Sequence, residues 1–290
     1  MKQPLRKDLE PVAASFVAKK LVEPYFDPNW HFHPHYQLFL VEEGTGTRFI
    51  GDSIKPFGPG DLVFLGPNLP HLWRSDQEYF SRQSVQQTKG IVVYFSEDFL
   101  GTSFFKNQEM ASIRQLLDHA RKGLEWTGST RDRIEETLQQ LVRQPIDFTR
   151  VLNLLTLLDE LSHATDYRFL TSPNYSNTVK PSETDRMQLV HDYVLGHFPE
   201  ELSLETVADL AGMTAPAFCR YFKARANKTF SEFVSEVRIG HACKLLMAGK
   251  LSITQVSYES GFRTLSNFNR QFKDITGQTP SIYVRTYRQL

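Results

Sequence analysis

The sequence predicts a two-domain α+β protein. An N-terminal antiparallel β barrel with helices after it precedes an all-α C-terminal domain holding two helix-turn-helix units. Three observations predict this. Between Pro24 and Ser96, short apolar runs alternate with Gly/Pro turns, as in a barrel or sandwich. After Phe99 the apolar spacing becomes helical. Between Leu204 and Val284 one pattern occurs twice, about fifty residues apart.

The predicted strands are Tyr36–Val41, Thr47–Ile50, Asp61–Leu65 and Ile91–Phe95, rich in Phe, Val, Leu and Ile. Gly44, Gly46, Gly51-Asp52, Gly58-Pro59-Gly60 and Gly66-Pro67 punctuate them. Next come helical stripes: Ile113, Leu116, Leu117 and Ala120, then Ile134, Leu138 and Leu141. After Pro145, the residues Val151, Leu152, Leu155, Leu158 and Leu161 fall on one broad face. So apolar a helix packs on the barrel or against a partner subunit, and the sequence leaves both open. Thr171–Ser182 is polar with two prolines and reads as a linker. The expected domains are therefore residues 1–170, a linker over 171–182, and residues 183–290.

Beyond the linker, Asp185–His197 is a helix ended by Pro199. Ser203 caps the first motif helix, Thr214 the next (Pro216 lies in its first turn), and Phe230–Ala248 is a long helix. Ser252 caps the first helix of the second copy, Thr264 or Ser266 its partner, and Pro280 starts a short closing helix. The long helix spans about 28 Å at 1.5 Å per residue. Equivalent major-groove faces of B-DNA recur about every 34 Å, so this helix suits a spacer between two reading heads on one duplex.

At 290 residues the chain is long enough for two cores. Its formal charge is zero, but from Gly212 onward 12 Lys+Arg face 4 Asp+Glu, leaving 21 against 29 before it. A basic end beside an acidic remainder suits a polyanion partner. Two cysteines, Cys219 and Cys243, suggest no disulfide framework and fit a reducing compartment. No run approaches the length of a membrane span, and Met1–Glu10 lacks a signal-peptide core. A cytoplasmic protein with no membrane association is expected.

The first copy reads Leu204, Val207, Ala208, Ala211, Gly212, then Phe218, Arg220, Phe222, Lys223, Thr229, Ser231, Val234. The second reads Ile253, Val256, Ser257, Ser260, Gly261, then Phe268, Arg270, Phe272, Lys273, Thr279, Ser281, Val284. Gly212 and Gly261 sit where a tight turn between two short helices needs positive φ. Such a pair, with polar and basic residues on its second helix, describes a helix-turn-helix that reads DNA. Phe218 with Phe222 and Phe268 with Phe272 are i,i+4 pairs expected to be buried. The opposite face carries Ala215, Pro216, Cys219 and Arg220 in copy one, and Ser266, Asn267 and Arg270 in copy two. Arg can grip guanine and Asn adenine bidentately, whereas Ala, Pro and Cys offer little beyond contact with thymine methyls. Copy two is therefore expected to supply more of the hydrogen-bonded specificity. Each Arg could instead meet phosphate or an internal carboxylate. Lys223 and Lys273 suit phosphate better than bases.

Residues Thr184–Arg285, above all GFRTLSNFNRQFKDITGQTPSIYVR at Gly261–Arg285, resemble the AraC/XylS family of bacterial transcription regulators. The resemblance implies a seven-helix domain recognising two adjacent major-groove segments of double-stranded DNA. It also makes Arg220, Ser266, Asn267 and Arg270 the best base-contact candidates.

In the barrel region His31-Phe32-His33, Gln37 and Gly44 resemble the first cupin motif, with Gln replacing its Glu. Gly60, Gly66 and His71 resemble the second. The implied fold is a double-stranded β-helix, the sensor barrel of AraC-type proteins, enclosing a cavity. His31, His33, Gln37 and His71 could ligate a divalent metal, but without the Glu a metal is not favoured and none is required. The same residues could instead hydrogen-bond an effector or fill the cavity mouth. Trp73, Arg48 and Tyr36 suit contacts to a small-molecule effector such as a sugar or small carboxylate; Trp73 and Tyr36 could equally be ordinary core aromatics.

The favoured function is a ligand-responsive transcription regulator and not an enzyme, expected to be a homodimer, with RNA polymerase a candidate partner. The rival is a metal-dependent cupin enzyme with an appended DNA-binding domain; a third reading is DNA binding without an effector. The effector, the operator and the sense of regulation are not legible.

Overall fold

The computed structural model describes residues 15–81, 85–175 and 184–287. They form two compact units, a β-rich one built from most of the chain before residue 178 and a helical one built mainly from the chain beyond it.

The β-rich unit holds strands β1 (Phe16–Glu23), β2 (Tyr36–Glu43), β3 (Gly46–Ile50), β4 (Ser53–Phe57), β5 (Leu62–Leu65), β6 (His71–Ser75), β7 (Thr88–Phe95), β8 (Leu124–Trp126) and β9 (Tyr167–Phe169). Two sheets form, in orders β1-β7-β2-β5-β8-β9 and β4-β3-β6. This is the cupin-like architecture expected from the motifs. Helices α1 (Ala111–Ala120), α2 (Ser129–Arg143) and α3 (Phe148–His163) cover the six-stranded sheet.

Successive strand residues face opposite ways, so each strand of the large sheet serves two cores. Tyr36, Leu38 and Leu40 of β2, Leu62 and Phe64 of β5, and Leu124 and Trp126 of β8 join the helices. Phe39, Val41, Val63, Leu65 and Val92 face the barrel interior, with Phe26, Ile50, Phe57, Leu69 and Trp73. Burial on both faces explains why β2 and β5 read as unbroken apolar runs and not as alternation.

The four predicted strands are present as β2, β3, β5 and β7. The other five carry too little apolar signal. The exposed positions of β1 bear Lys19, Lys20, Val22 and Glu23, β6 interleaves His71, Arg74 and Ser75, and β8 and β9 have 3 residues each. The broad face expected on α3 divides. Leu158 and Leu161 are buried with Leu154 and Leu157 against their own unit, Val151 and Leu155 are half-buried, and Leu152 is exposed. Packing within the chain thus accounts for most of that helix.

The linker begins later than expected. Thr171 donates its N–H and hydroxyl to the Lys122 carbonyl, at 3.0 and 2.9 Å. Ser172 donates to both carboxylate oxygens of Asp52, through N–H at 3.0 Å and Oγ–H at 2.6 Å. Residues 171–175 therefore belong to the β-rich unit, since their hydrogen bonds are made on it. The rest of the expected linker, 176–182, falls within 176–183, outside the described residues.

The helical unit contains α4 (Thr184–His197), α5 (Leu204–Leu210), α6 (Ala215–Ala226), α7 (Phe230–Ala248), α8 (Ile253–Glu259), α9 (Leu265–Thr276) and α10 (Pro280–Tyr287). The α7 bounds match the sequence reading at both ends: Thr229 and Glu232 form a capping box, and Gly249 ends the helix at φ 68°. Ser252 and Gln255 repeat the box on α8, and Thr264 settles the α9 cap by accepting from Asn267 N–H. Phe233 of α7 packs edge-on against Phe222, while Ile239, Cys243 and Leu246 of the same helix pack with Phe262, Phe268 and Phe272. One helix thus supplies both halves of the domain with core. Among the described residues no helix is long and apolar enough to cross a membrane.

Candidate DNA-reading faces and sensor interior

Each copy places its second helix by the same device. Phe218 and Phe222 of α6, and Phe268 and Phe272 of α9, are fully buried, with ring centroids 5.6 and 5.5 Å apart within each pair. Burying each ring contributes about 1.5–3 kcal/mol and fixes which face of the helix looks outward. On α6 that face presents Pro216, Cys219, Arg220 and Lys223, all exposed, with Ala215 half-buried beside them. On α9 it presents Ser266, Asn267, Arg270 and Lys273, all exposed. Arg270 donates from Nη2 to Asn267 Oδ1 at 3.0 Å, one turn apart, so the two leading candidates of copy two are held as a pair. Asn269, also exposed on α9, was missed, although it lies three residues after Ser266 on the same helix side.

The turns differ. Gly212 has φ 66° and open space around it, whereas Gly261 has φ 83° and lies against the Phe198 and Pro199 backbone. Arg238 of α7 holds that same loop, donating from Nε to the Phe198 carbonyl and from Nη2 to the Glu200 carbonyl, both at 2.7 Å. Burial lowers its pKa from the usual guanidinium value. Arg263, exposed beside Gly261, pairs with Glu201 of the loop. The α4–α5 connection is thus tied at once to the spacer helix and to the turn of copy two.

Inside the barrel, His31 and His33 lie on one side of an extended segment that pairs with β6. His31 and His71 exchange backbone hydrogen bonds of 3.1 and 2.9 Å. This brings three buried imidazoles together, with a ligand-capable atom of each within 4.8 Å of the others. Each Nδ1 lies on a backbone carbonyl two residues away: His31 on Asn29 at 2.7 Å, His33 on His35 at 3.0 Å, His71 on Leu69 at 2.7 Å. Burial depresses the His33 pKa to about 4, against the opposing Gln37 hydrogen bond, so the ring is neutral at neutral pH. Both ring nitrogens face oxygens, Nδ1 the His35 carbonyl and Nε2 the Gln37 Oε1 at 2.8 Å, so the one proton of the neutral ring serves one of them at a time.

The remaining sensor candidates fare differently. Tyr36 needs correction as an effector contact. It faces the helix layer, fully buried, stacked on Phe95 at 5.2 Å and beside Phe64, because β2 alternation sends Gln37 and not Tyr36 inward. Burial raises its pKa from the usual phenol value. Arg48 does face the interior, but its charge is already engaged. Nε lies 3.0 Å from Asp61 Oδ2, and Nη2 contacts Glu125 Oε2. Neither carboxylate was singled out from sequence, although Glu125 stands alone between Leu124 and Trp126 in a short apolar strand. Trp73 lies opposite Arg48 in the β3–β6 register and edge-on to Phe39 at 4.8 Å, in the interior core. Among the described residues, Arg48 Nη1 and Trp73 Nε1 are buried donors with no hydrogen-bond acceptor.

Comparison with known proteins agrees with this division. Residues 207–286 match the model of a helix-turn-helix domain, and residues 20–144 match that of the AraC-like ligand-binding domain. YdeC, an uncharacterized HTH-type transcriptional regulator of Bacillus subtilis, is 27% identical over 258 residues, spanning 87% of this chain and 84% of its own. The HTH-type transcriptional activator RhaS of Enterobacter sp. is 24% identical over 259 residues, spanning 84% and 82%. Among solved structures, the DNA-binding domain of AdpA in complex with a target DNA is 27% identical, spanning 34% of this chain and 90% of that one, with TM-score 0.33. Fatty acid-bound ToxT of Vibrio cholerae is 16% identical, spanning 93% and 94%, with TM-score 0.35. The chain belongs to the AraC family of DNA-binding transcription regulators, with an AraC-like ligand-binding domain preceding its helix-turn-helix domain.

Proposed function

We propose that this chain is a cytoplasmic, effector-responsive regulator without catalytic turnover, whose two reading helices enter adjacent major-groove segments of one duplex. The observation that carries the reading is the pair of exposed polar faces on α6 and α9, each backed by buried phenylalanines on opposite ends of α7. Arg270 and Asn267, already hydrogen-bonded to each other, supply base readout, and Lys223 and Lys273 supply phosphate contact. A small molecule rich in acceptor oxygens, a sugar or a small carboxylate, would take the buried donors Arg48 Nη1 and Trp73 Nε1. Effector binding then shifts an existing population toward operator-competent geometry. The exposed Phe148 and Leu152 of α3, one turn apart and next to the half-buried Leu155, offer a seam for a homodimer.

The test is recovery and sequencing of the genomic fragments that the full chain retains, followed by footprinting of the sites found. Affinity is expected to fall steeply with salt. Arg270→Ala should reduce discrimination between operator and random DNA by about 1–3 kcal/mol. Equal loss on both DNAs reassigns Arg270 to phosphate, and protection of no discrete site overturns the reading.

A further inference from the structure

We propose that the segment Leu170–Tyr175 is the lid of the sensor interior, with Tyr175 as its closing side chain. The inference deepens the sensor reading and rests on it, because it assigns the way into the effector site to the root of the linker. The segment is anchored at both ends and pinned in its middle. Leu170 is buried in the interior core; its N–H donates to the Gly123 carbonyl at 2.9 Å, and its side chain packs over Gly123 beside Leu69. Thr171 and Ser172 make four hydrogen bonds, two to the Lys122 carbonyl and two to the Asp52 carboxylate. Pro173 then takes the second position of a turn that Tyr175 closes, donating its N–H to the Ser172 carbonyl at 3.1 Å. That turn returns Tyr175 to the interior core, against which it packs.

The lid rests on bare backbone at the turn between β3 and β4. A Cβ added to Gly51, which has φ 55°, would stand 2.6 Å from the Thr171 methyl and 2.9 Å from Tyr175 Cζ. Gly51 donates to the Pro70 carbonyl at 2.8 Å, and Ile50 beside it pairs with His71. The next pair facing the same way along these two strands is Arg48 with Trp73, about 7 Å further on at 3.4 Å per residue. The buried donors Arg48 Nη1 and Trp73 Nε1 therefore lie one such pair behind the lid. Asp52 belongs to the same turn, so one carboxylate ties the strand end to the lid. A linker that simply left the domain would need neither that clamp nor a buried ring. Burial raises the Tyr175 phenol pKa, and the Asp52 charge adds to the effect. Residues 176–183 then lead to α4. A ligand that passes this lid moves Tyr175, so occupancy of the interior is felt directly by the chain that runs on to the DNA-binding unit.

The experiment uses the full chain with acrylamide as the probe and needs no effector. With Trp30→Phe and Trp126→Phe, Trp73 alone reports on the interior; with Trp30→Phe and Trp73→Phe, Trp126 reports on the core beneath the helices. Adding Tyr175→Ala should raise the acrylamide quenching constant of Trp73 by about threefold or more and leave that of Trp126 unchanged. Ser172→Ala keeps the ring and removes one hydrogen bond to a charged group. It should raise the open population by about tenfold or more, read as faster chymotrypsin cleavage after Tyr175 and located by mass spectrometry. Circular dichroism checks that each chain folds. If the single-tryptophan chains do not fold, cleavage of the chain carrying Ser172→Ala alone decides. No gain at Trp73, an equal gain at Trp126, or cleavage indifferent to Ser172 overturns the proposal. Protection of DNA sites is a separate readout, so an open interior in a chain that binds its operator sinks the lid and not the regulator.

Discussion

Replacing Gly212 or Gly261 by alanine makes the same chemical change at matched turns of the two copies, yet the outcomes should differ. Both glycines sit at positive φ, 66° and 83°. An alanine there costs about 1–2 kcal/mol from backbone strain. At Gly212 nothing lies within 4 Å of a new Cβ, so that is the whole cost. At Gly261 the Cβ would stand 2.7 Å from the Phe198 carbonyl oxygen and 2.8 Å from Pro199 Cα. Those are backbone atoms, pinned by Arg238 at 2.7 Å, and cannot swing aside. Displacing a packed segment adds about 1–3 kcal/mol, for a total of about 2–5 kcal/mol. Urea unfolding of the full chain measures the difference. Trp30, Trp73 and Trp126 are the chain's three tryptophans and all lie in the β-rich unit. A loss that appears in far-ultraviolet dichroism but not in tryptophan fluorescence therefore belongs to the helical unit. Equal losses at the two glycines, or a larger one at Gly212, would refute the argument that the α4–α5 loop is clamped against copy two.

Two further outcomes follow from buried charge. His191 is fully buried against Phe233, and burial depresses its pKa from 6.5 to about 3. The folded chain holds the neutral ring while the unfolded chain accepts a proton, so this contribution is complete above pH 6.5 and shrinks as pH falls toward 3. Between neutrality and about pH 5 the helical unit should lose about 2 kcal/mol, and His191→Phe should remove that slope; an unchanged slope refutes the assignment. Glu125→Gln removes one charged hydrogen bond while Asp61 still balances the buried Arg48 guanidinium, and should cost the β-rich unit about 1.5–3 kcal/mol, read by tryptophan fluorescence. A cost under about 1 kcal/mol would mean the pair is solvated.

The helical unit was legible nearly residue by residue, since its signals are local. Cap residues, glycine turns and the i,i+4 phenylalanine pairs each act within a turn or two of chain, and Phe230–Ala248 came out with both ends right. The β-rich unit was legible only where strands are apolar on both faces. β1 and β6 owe their pairing to distant partners, and their own residues are too polar to announce it. Tyr36 and Gln37 show the limit most sharply. Adjacent in sequence, they point into different cores, and only the strand's place in the sheet decides which one faces the interior. His31, His33 and His71 were found by motif, but their shared Nδ1 anchoring needs the backbone of residues 29, 35 and 69, which no spacing rule displays. Arg48 read as a free cation because its partners, Asp61 and Glu125, lie 13 and 77 positions away.

The double duty of α7 sets the terms on which this domain can change. Its N-terminal half wedges into one head through Phe233 and its C-terminal half into the other through Ile239, Cys243 and Leu246. A new target sequence can be acquired by exchanging a few outward-facing side chains on α6 or α9, which touch neither wedge. Transplanting an entire head from a relative is a different undertaking. The splice has to fall inside the rod itself, between Val237 and Ile239, or the imported phenylalanines arrive without the surface they were shaped to meet.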